Sequence, residues 1–446
     1  MHCLIPSAFG KMRPRSPSRS WDHKEKSCMI VLAVFVAAYI CFVIFPNRRS
    51  WVAAVAAVVL LLSQQIEPVR LITHIDWNVM GIFVGTLIAA DAFIDSRVPA
   101  YWAEHIVVRA PNTGLALIFI CILTGFISIY VENVATVLIV APIALALVKK
   151  LNINPVLVLI SIAITSNLEG AATLIGDPPS MLLAGYTGMN FMDFFWYQGR
   201  PSIFWSVQLG MAVSLIFLYA VFRKHREKVE VKIETEVASW IPTAILVLLV
   251  LALAASSLVN HDFAYAAGTI CMGCGIAALL WQVVANRANM FSTLQKLDWD
   301  TTFFLMGVFI LVGSLEEAGW IKTIADVFSR FVGDNTLLGY VFFILCAVVC
   351  SAFVDNVPLL AAMLPVAQTL ARDQGVNETL YMFALLLGAS LGGNVTPIGA
   401  TANIVACGML RREGHSVTFP QFMRLSIPYT IFALTPAAIV TYLLWR

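Results

Sequence analysis

ENVATVLIVAP at 132–142 and DNVPLLAAMLP at 355–365 are one segment written twice. GAATLIGDPPS at 170–180 and GNVTPIGATAN at 393–403 repeat in the same way. Glu132 matches Asp355, Asn133 matches Asn356, Pro142 matches Pro365, Thr173 matches Thr396 and Gly176 matches Gly399, all at a separation of 223 residues. Shorter echoes, IDWN at 75–78 and LDWD at 297–300, open the two copies at a separation of 222. The chain is an internal duplication whose polar islands interrupt apolar segments. That combination is expected of a transporter whose site is assembled from two related halves.

Hydropathy sets the environment. Hydrophobic residues make up 60% of the chain and charged residues 12%, with a mean hydropathy of +0.84, and the apolar residues form runs long enough to cross hydrocarbon. Clear spans are 29–46, 51–64, 77–95, 201–222, 240–258, 263–285, 299–315 and 422–445. The stretches 113–149, 155–190, 337–371 and 378–410 are equally apolar but broken by Asn, Glu, Asp, Gly and Pro. An all-α polytopic membrane protein follows.

Other classes find little support. The nine cysteines include Cys346 and Cys350 on one helix face and a CxxC at Cys271 and Cys274, but no second CxxC or histidine pair completes a metal set. Packing thiols are the simpler reading. A net charge of +2 without a basic face argues against a nucleic-acid partner. No GxxxxGK[ST] run is present, so coupling to ATP would require a separate ATPase subunit. No histidine-rich or Ser/His/Asp constellation at membrane depth suggests an enzyme.

Residues 1–28 carry six basic residues and no periodicity that could bury a face, and are expected to be a disordered basic tail. The mixed-charge segment 223–239 reads as a cytoplasmic linker between transporter repeats at 29–222 and 240–446. An Asn in mid-span followed by a resumed apolar run suggests a re-entrant hairpin with its tip at ENV or DNV. Such a tip must face protein or a water-filled cavity, because hydrocarbon satisfies no backbone group. Gly and Pro in GAATLIGDPP and GNVTPIGAT indicate discontinuous helices, with free N–H groups at one half-helix start and free carbonyls at the other half-helix end. Glu132 and Asp355 stand out, since an ionisable group at membrane depth is costly and functional by default.

SIYVENVATVLIVAPI at 128–143, SNLEGAATLIGDPPSMLLA at 166–184, SAFVDNVPLLAAMLPV at 351–366 and GASLGGNVTPIGATANIVA at 388–406 resemble a known group. It is the arsenite permease and sodium/proton antiporter group that includes the melanosomal P protein, within the ion transporter superfamily of dicarboxylate and citrate carriers. The resemblance implies two inverted repeats, each with a re-entrant hairpin and a discontinuous helix, working as an elevator-type transporter on a homodimeric scaffold. Carried onto this chain, its substrate region is Asn133, Thr136 and Asn356 at the tips. At the breaks it is Asn167, Thr173, Gly176 and Asp177, then Asn394, Thr396, Gly399 and Asn403. Asn133, Asp177, Asp355 and Asn356 form a candidate sodium site.

Two positions depart from the group. Glu132 stands where Asp is usual, and Glu169 where a small residue, commonly Gly, is usual; both favour coupling to a proton or cation over an anionic substrate, and Glu132, Asp355 and Glu169, the last placed beside the first break, are expected among the ion-binding residues. Asp177 has a plainer reading as the cap of the following half-helix. Sixteen of the lysines and arginines after residue 28 fall on the linker side and six opposite, which makes the linker side cytoplasmic. Parity then puts the basic N-terminal tail outside, a conflict that a start at Met29 would remove. The expected function is secondary transport of a small inorganic ion or oxyanion, as in arsenite export or sodium/proton exchange. No cofactor is expected beyond sodium or a proton as coupling ion, and the location is a bacterial-type plasma membrane. Citrate or another dicarboxylate is the alternative cargo, and a channel the more distant one.

Overall fold

Twenty α-helices, in two successions that match member by member, make up most of residues 19–45, 48–150, 153–227, 235–259, 265–285 and 289–446, which a computed structural model describes. The first succession is α1 (Arg19–Ile44), α2 (Arg49–Leu62), α3 (Pro68–Thr73), α4 (Trp77–Asp95), α5 (Val98–Val108), α6 (Thr113–Ser128), α7 (Asn133–Lys150), α8 (Pro155–Gly170), α9 (Pro178–Thr187) and α10 (Ile203–Phe222). The second is α11 (Ile241–Val259), α12 (Ala266–Ala285), α13 (Met290–Lys296), α14 (Trp299–Glu317), α15 (Trp320–Val332), α16 (Thr336–Ser351), α17 (Asn356–Gln374), α18 (Glu378–Gly392), α19 (Thr401–Arg412) and α20 (Phe419–Trp445). A two-stranded hairpin, β1 (Trp196–Tyr197) with β2 (Arg200–Pro201), precedes α10.

The duplication reaches the helix caps. Asp76 accepts from the N–H groups of Asn78 and Val79 at the start of α4, and Asp298 accepts from that of Thr301 at the start of α14. Asn112 and Asn335 cap α6 and α16, and Asn154 and Asn377 cap α8 and α18. Each cap is worth about 1 kcal/mol and fixes where the chain enters its helix.

Six helices among the described residues are long and apolar enough to cross a membrane: α4, α10, α11, α12, α14 and α20. The four interrupted stretches resolve into helix pairs: α6 with α7, α8 with α9, α16 with α17, and α18 with α19. Helix α1 starts at Arg19, so residues 19–28 are helical rather than part of a disordered tail. Extending a nucleated apolar helix backward is cheap, and composition alone does not reveal it. Residues 1–18, and 228–234 of the linker, lie outside the described residues. The CxxC residues Cys271 and Cys274 are free thiols.

Burial separates the layers. Helices α8 and α18 are buried along nearly their whole length, whereas α11 buries only Pro242, Leu246, Leu249, Leu253 and Ser257. That spacing is one helix face on protein, with the remainder left to lipid. The halves also exchange partners, since α4 packs on α12 while α14 packs on α2. Gly268 N–H donates to Asn78 Oδ1 at 2.7 Å in one pairing, and Ser50 donates to Asp300, the match of Asn78, in the other.

The α4–α12 contact is backbone against backbone. A Cβ at Gly85 would lie 2.2 Å from the Cys271 carbonyl carbon, and one at Gly275 would lie 2.7 Å from Gly85 O. Nothing lies within 4 Å of a Cβ at Gly273. Gly85→Ala and Gly275→Ala are therefore expected to cost about 1–3 kcal/mol each through overpacking. Gly273→Ala is expected to be neutral or slightly stabilising, because Ala is the better helix former. Apparent Tm in detergent checks this, and equal values for the three variants would contradict the close packing.

Candidate functional site

The two tips and the two helix breaks converge. Residues 129–132 join α6 to α7, and 352–355 join α16 to α17; residues 171–177 separate α8 from α9, and 393–400 separate α18 from α19. Glu132, Asn133 and Val134 come from the first tip, Asp355, Asn356 and Val357 from the second. Asn167, Asp177 and Pro178 come from the first break, and Ala400, Thr401 and Ala402 from the second. Together with Arg49, Asp298 and Thr301 they line a half-open cavity of ≈ 30 Å³. That is room for about two waters or one small ion.

Four helices start at this cavity, namely α7, α9, α17 and α19, and the positive ends of their dipoles face it. The acids divide the work. Glu132 Oε2 accepts from the Ala135 N–H at 3.1 Å and caps α7. Asp355 Oδ1 accepts from the Val357 N–H at 3.1 Å and caps α17, while its Oδ2 lies 2.5 Å from Arg49 Nη1. Asp298 caps α14 and accepts from the Thr301 hydroxyl.

Asp177 differs from the other three. It occupies the N-cap position of α9, yet its side chain makes no cap bond. Pro178 and Pro179 at the first helical positions bring no N–H to cap. The carboxylate is 5% exposed and faces the amides of Asn356, at 3.5 Å, and Asn133. The capping reading of Asp177 is thereby excluded. Its match in the second copy is Ala400, so the site departs from two-fold likeness at the one acid left without a cap or a cation.

Thr136, Thr173, Asn394, Thr396 and Asn403 brace the site from outside its lining, and Asn167 both lines the cavity and braces it. The hydroxyls of Thr173 and Thr396 donate to Ile129 O and Ala352 O, carbonyls that are themselves 223 residues apart. Thr136 donates to Val131 O at 3.2 Å inside the first tip. Asn167 Nδ2 donates to Asn394 Oδ1 at 2.9 Å and Asn403 Oδ1 at 3.1 Å, tying the first break to the second. Asn403 Nδ2 in turn satisfies Gly393 O at 2.8 Å and Thr396 O at 2.9 Å. These carbonyls at the second break were expected to be free, and they are closed by side chains. Gly176 and Gly399 stay outside the cavity lining: a Cβ there would meet Gly170 O at 2.5 Å and Gly393 O at 2.6 Å. A larger residue at either position damages folding as well as the site.

Glu169 also points elsewhere. It is 1% exposed and accepts from Gln208 Nε2 of α10 at 2.6 Å. Gly125 opposite leaves room for it, since a Cβ there would lie 2.9 Å from Glu169 Cγ. The second copy reverses the sizes, with Val348 facing Gly392, so this acid fills a slot shaped for it.

Arg49, Asp298, Thr301 and Thr401 were not foreseen. Arg49 carried a signal, because a cation at the start of an apolar helix opposes the helix dipole and therefore needs acids nearby. The other three lie at caps and breaks, where sequence suggests a local role only.

A family model described as citrate transporter matches residues 39–375 and 270–446. An uncharacterized transporter of Mycobacterium tuberculosis is 28% identical over 425 residues, covering 93% of this chain and 98% of that protein. The P protein of Mus musculus is 23% identical over 505 residues, covering 93% of this chain and 60% of that protein. The solved structure of the YdaH transporter of Alcanivorax borkumensis aligns with a TM-score of 0.60 at 13% identity, over 84% of this chain and 86% of that one. At that identity the likeness is one of fold alone. The resemblance drawn from the paired motifs is met, both in the superfamily and in the P protein.

If a cation occupies the cavity beside Asp177, Asp177→Asn is expected to abolish its binding while the protein stays folded, because the amide keeps the shape and loses the charge. Glu169→Gln is expected to bind as wild type does, since Gln208 can still donate to the new amide oxygen and the cavity is untouched. Sodium-dependent thermal stabilisation of the purified protein separates the two. Equal loss in both variants would contradict the assignment.

Proposed function

This chain belongs to the citrate transporter family, and we propose that it is a secondary active transporter coupled to one monovalent cation, sodium or a proton, held at Asp177. As a family member it is an integral membrane transporter of the plasma membrane. The observation that carries the coupling is Asp177 itself, a buried carboxylate with neither a cap bond nor a cation. An uncompensated charge of that kind costs several kcal/mol, so it takes up a proton or a metal ion. Asn133 and Asn356, one from each tip, supply amide groups beside it.

Charge in the cavity favours a cationic cargo. Glu132, Asp177, Asp298 and Asp355 line it against the single guanidinium of Arg49, and a multiply charged anion would meet repulsion at short range. The lead reading is exchange of sodium for protons by alternating access. The two tips and breaks would shift between sides as one unit, in the elevator manner that two inverted repeats permit. A citrate or other carboxylate cargo draws support from the family's description, from Arg49 and from the four helix starts. A cavity of ≈ 30 Å³ would have to open to admit it.

Flux into vesicles under an imposed proton gradient, screened across sodium, lithium, arsenite and citrate, tests the reading. Sodium or lithium movement that collapses the gradient and is lost in Asp177→Asn is the expected result. Citrate uptake with no sodium/proton exchange would move the assignment to the carboxylate cargo. Arsenite efflux alone would move it to an oxyanion.

A further inference from the structure

The geometry points to Arg49 as a resident counter-cation, one that pairs with Asp355 when the cavity holds no transported ion and must release it when one binds. The inference deepens the cation-coupled reading above and rests on it. Three of the contacts of the guanidinium are on α14. Nη2 donates to Thr301 Oγ1 at 3.0 Å, Nε lies 3.7 Å from Asp300 Oδ2, and the group sits 5.0 Å from the centre of the Phe304 ring. Only the bond to Asp355 Oδ2 reaches the second tip. The side chain is 14% exposed, so the pair is little screened by solvent. Arg49 is thus anchored on α2 and α14 and extends a single charged contact to the tip helix. Tyr39 of α1 adds a second hold on that helix, donating to Pro358 O at 2.7 Å.

The duplication shows that this arrangement is one-sided. Ser50 and Gly268 make the matching contacts to Asp300 and Asn78, which puts Ala267 of α12 where α2 has Arg49. Glu132, the match of Asp355, therefore meets N–H groups of its own helix and no guanidinium within hydrogen-bond reach among the described residues. One tip is held by a fixed cation while the other is not. A cation entering beside Asp177 shares the cavity with Asp355 and competes with Arg49 for it. Two consequences follow: Arg49 weakens cation binding, and it neutralises Asp355 in the emptied site for the return step.

The test uses the full-length protein in detergent and in vesicles, with sodium as probe. Arg49→Gln is expected to bind sodium at least about fivefold more tightly, the low end of coupling between ligands that exclude one another. Its turnover is expected to fall. Arg49→Lys, which keeps the charge, is expected to restore most of the wild-type affinity. In the Asp355→Asn background, Arg49→Gln is expected to leave sodium affinity unchanged, because the contested acid is gone. Equal or weaker binding by a folded Arg49→Gln protein, while wild type binds sodium, would overturn the counter-cation role and leave the coupling reading standing. If Arg49→Gln fails to fold, Arg49→Met, which also removes the charge and keeps most of the length, takes its place in both comparisons, and an affinity gain that persists without Asp355 counts against the role. Absence of sodium binding by wild type would remove sodium from the coupling reading, and this inference with it, and leave only a proton as the coupling ion.

Discussion

Hydrocarbon offers no partner to a backbone N–H or C=O group, and the architecture of this chain follows from breaking two helices under that constraint. The interruptions at 171–177 and 393–400 survive because the structure closes around them. Thr173 and Thr396 bond the carbonyls of the facing tips, and Asn403 satisfies two carbonyls of the second break. The buried helices α8 and α18 keep the ends away from lipid. With the carbonyls of the second break satisfied by side chains, the helix starts are what remain turned toward the cavity. Acids then gather at those starts, as dipoles favour.

The two halves supply almost the same parts, and the differences between them carry the chemistry. Thr173 with Ile129 and Thr396 with Ala352 show how closely the copies agree in their bracing. Asp177 has only Ala400 as its counterpart, and Arg49 has only Ala267. Without Asp177 and Arg49 the cavity would hold four helix starts and three acids at helix caps, Glu132, Asp355 and Asp298. Asp177 adds one uncapped carboxylate and Arg49 one fixed guanidinium, which we propose act as binding group and competitor. Glu169 lies apart from this arrangement, seated against Gln208 in its own slot.

Much of the fold was legible because duplication leaves a mark that hydropathy does not. Glu132 and Asp355 at one separation from Asn133 and Asn356 located both tips, and the Gly and Pro residues located both breaks. Which of the paired polar residues would face the cavity was not legible. Asn167 and Asn394 are equally polar and both buried; only the first lines the cavity, and that depends on rotation of helix ends by a fraction of a turn. Arg49 was hidden by a different cause. Its partners Asp300 and Asp355 lie in the other half of the chain, and the duplication cannot point to a residue that it does not repeat.

We propose that Asp177 is the one acid of the cavity free to exchange a proton for a monovalent cation. Calorimetric titration of the purified protein with sodium, repeated in two buffers of different ionisation enthalpy at one pH, counts protons released for each ion bound. The account predicts about one proton released per sodium, with both heat and release lost in Asp177→Asn. Sodium binding that persists in that variant with unchanged proton release would contradict it.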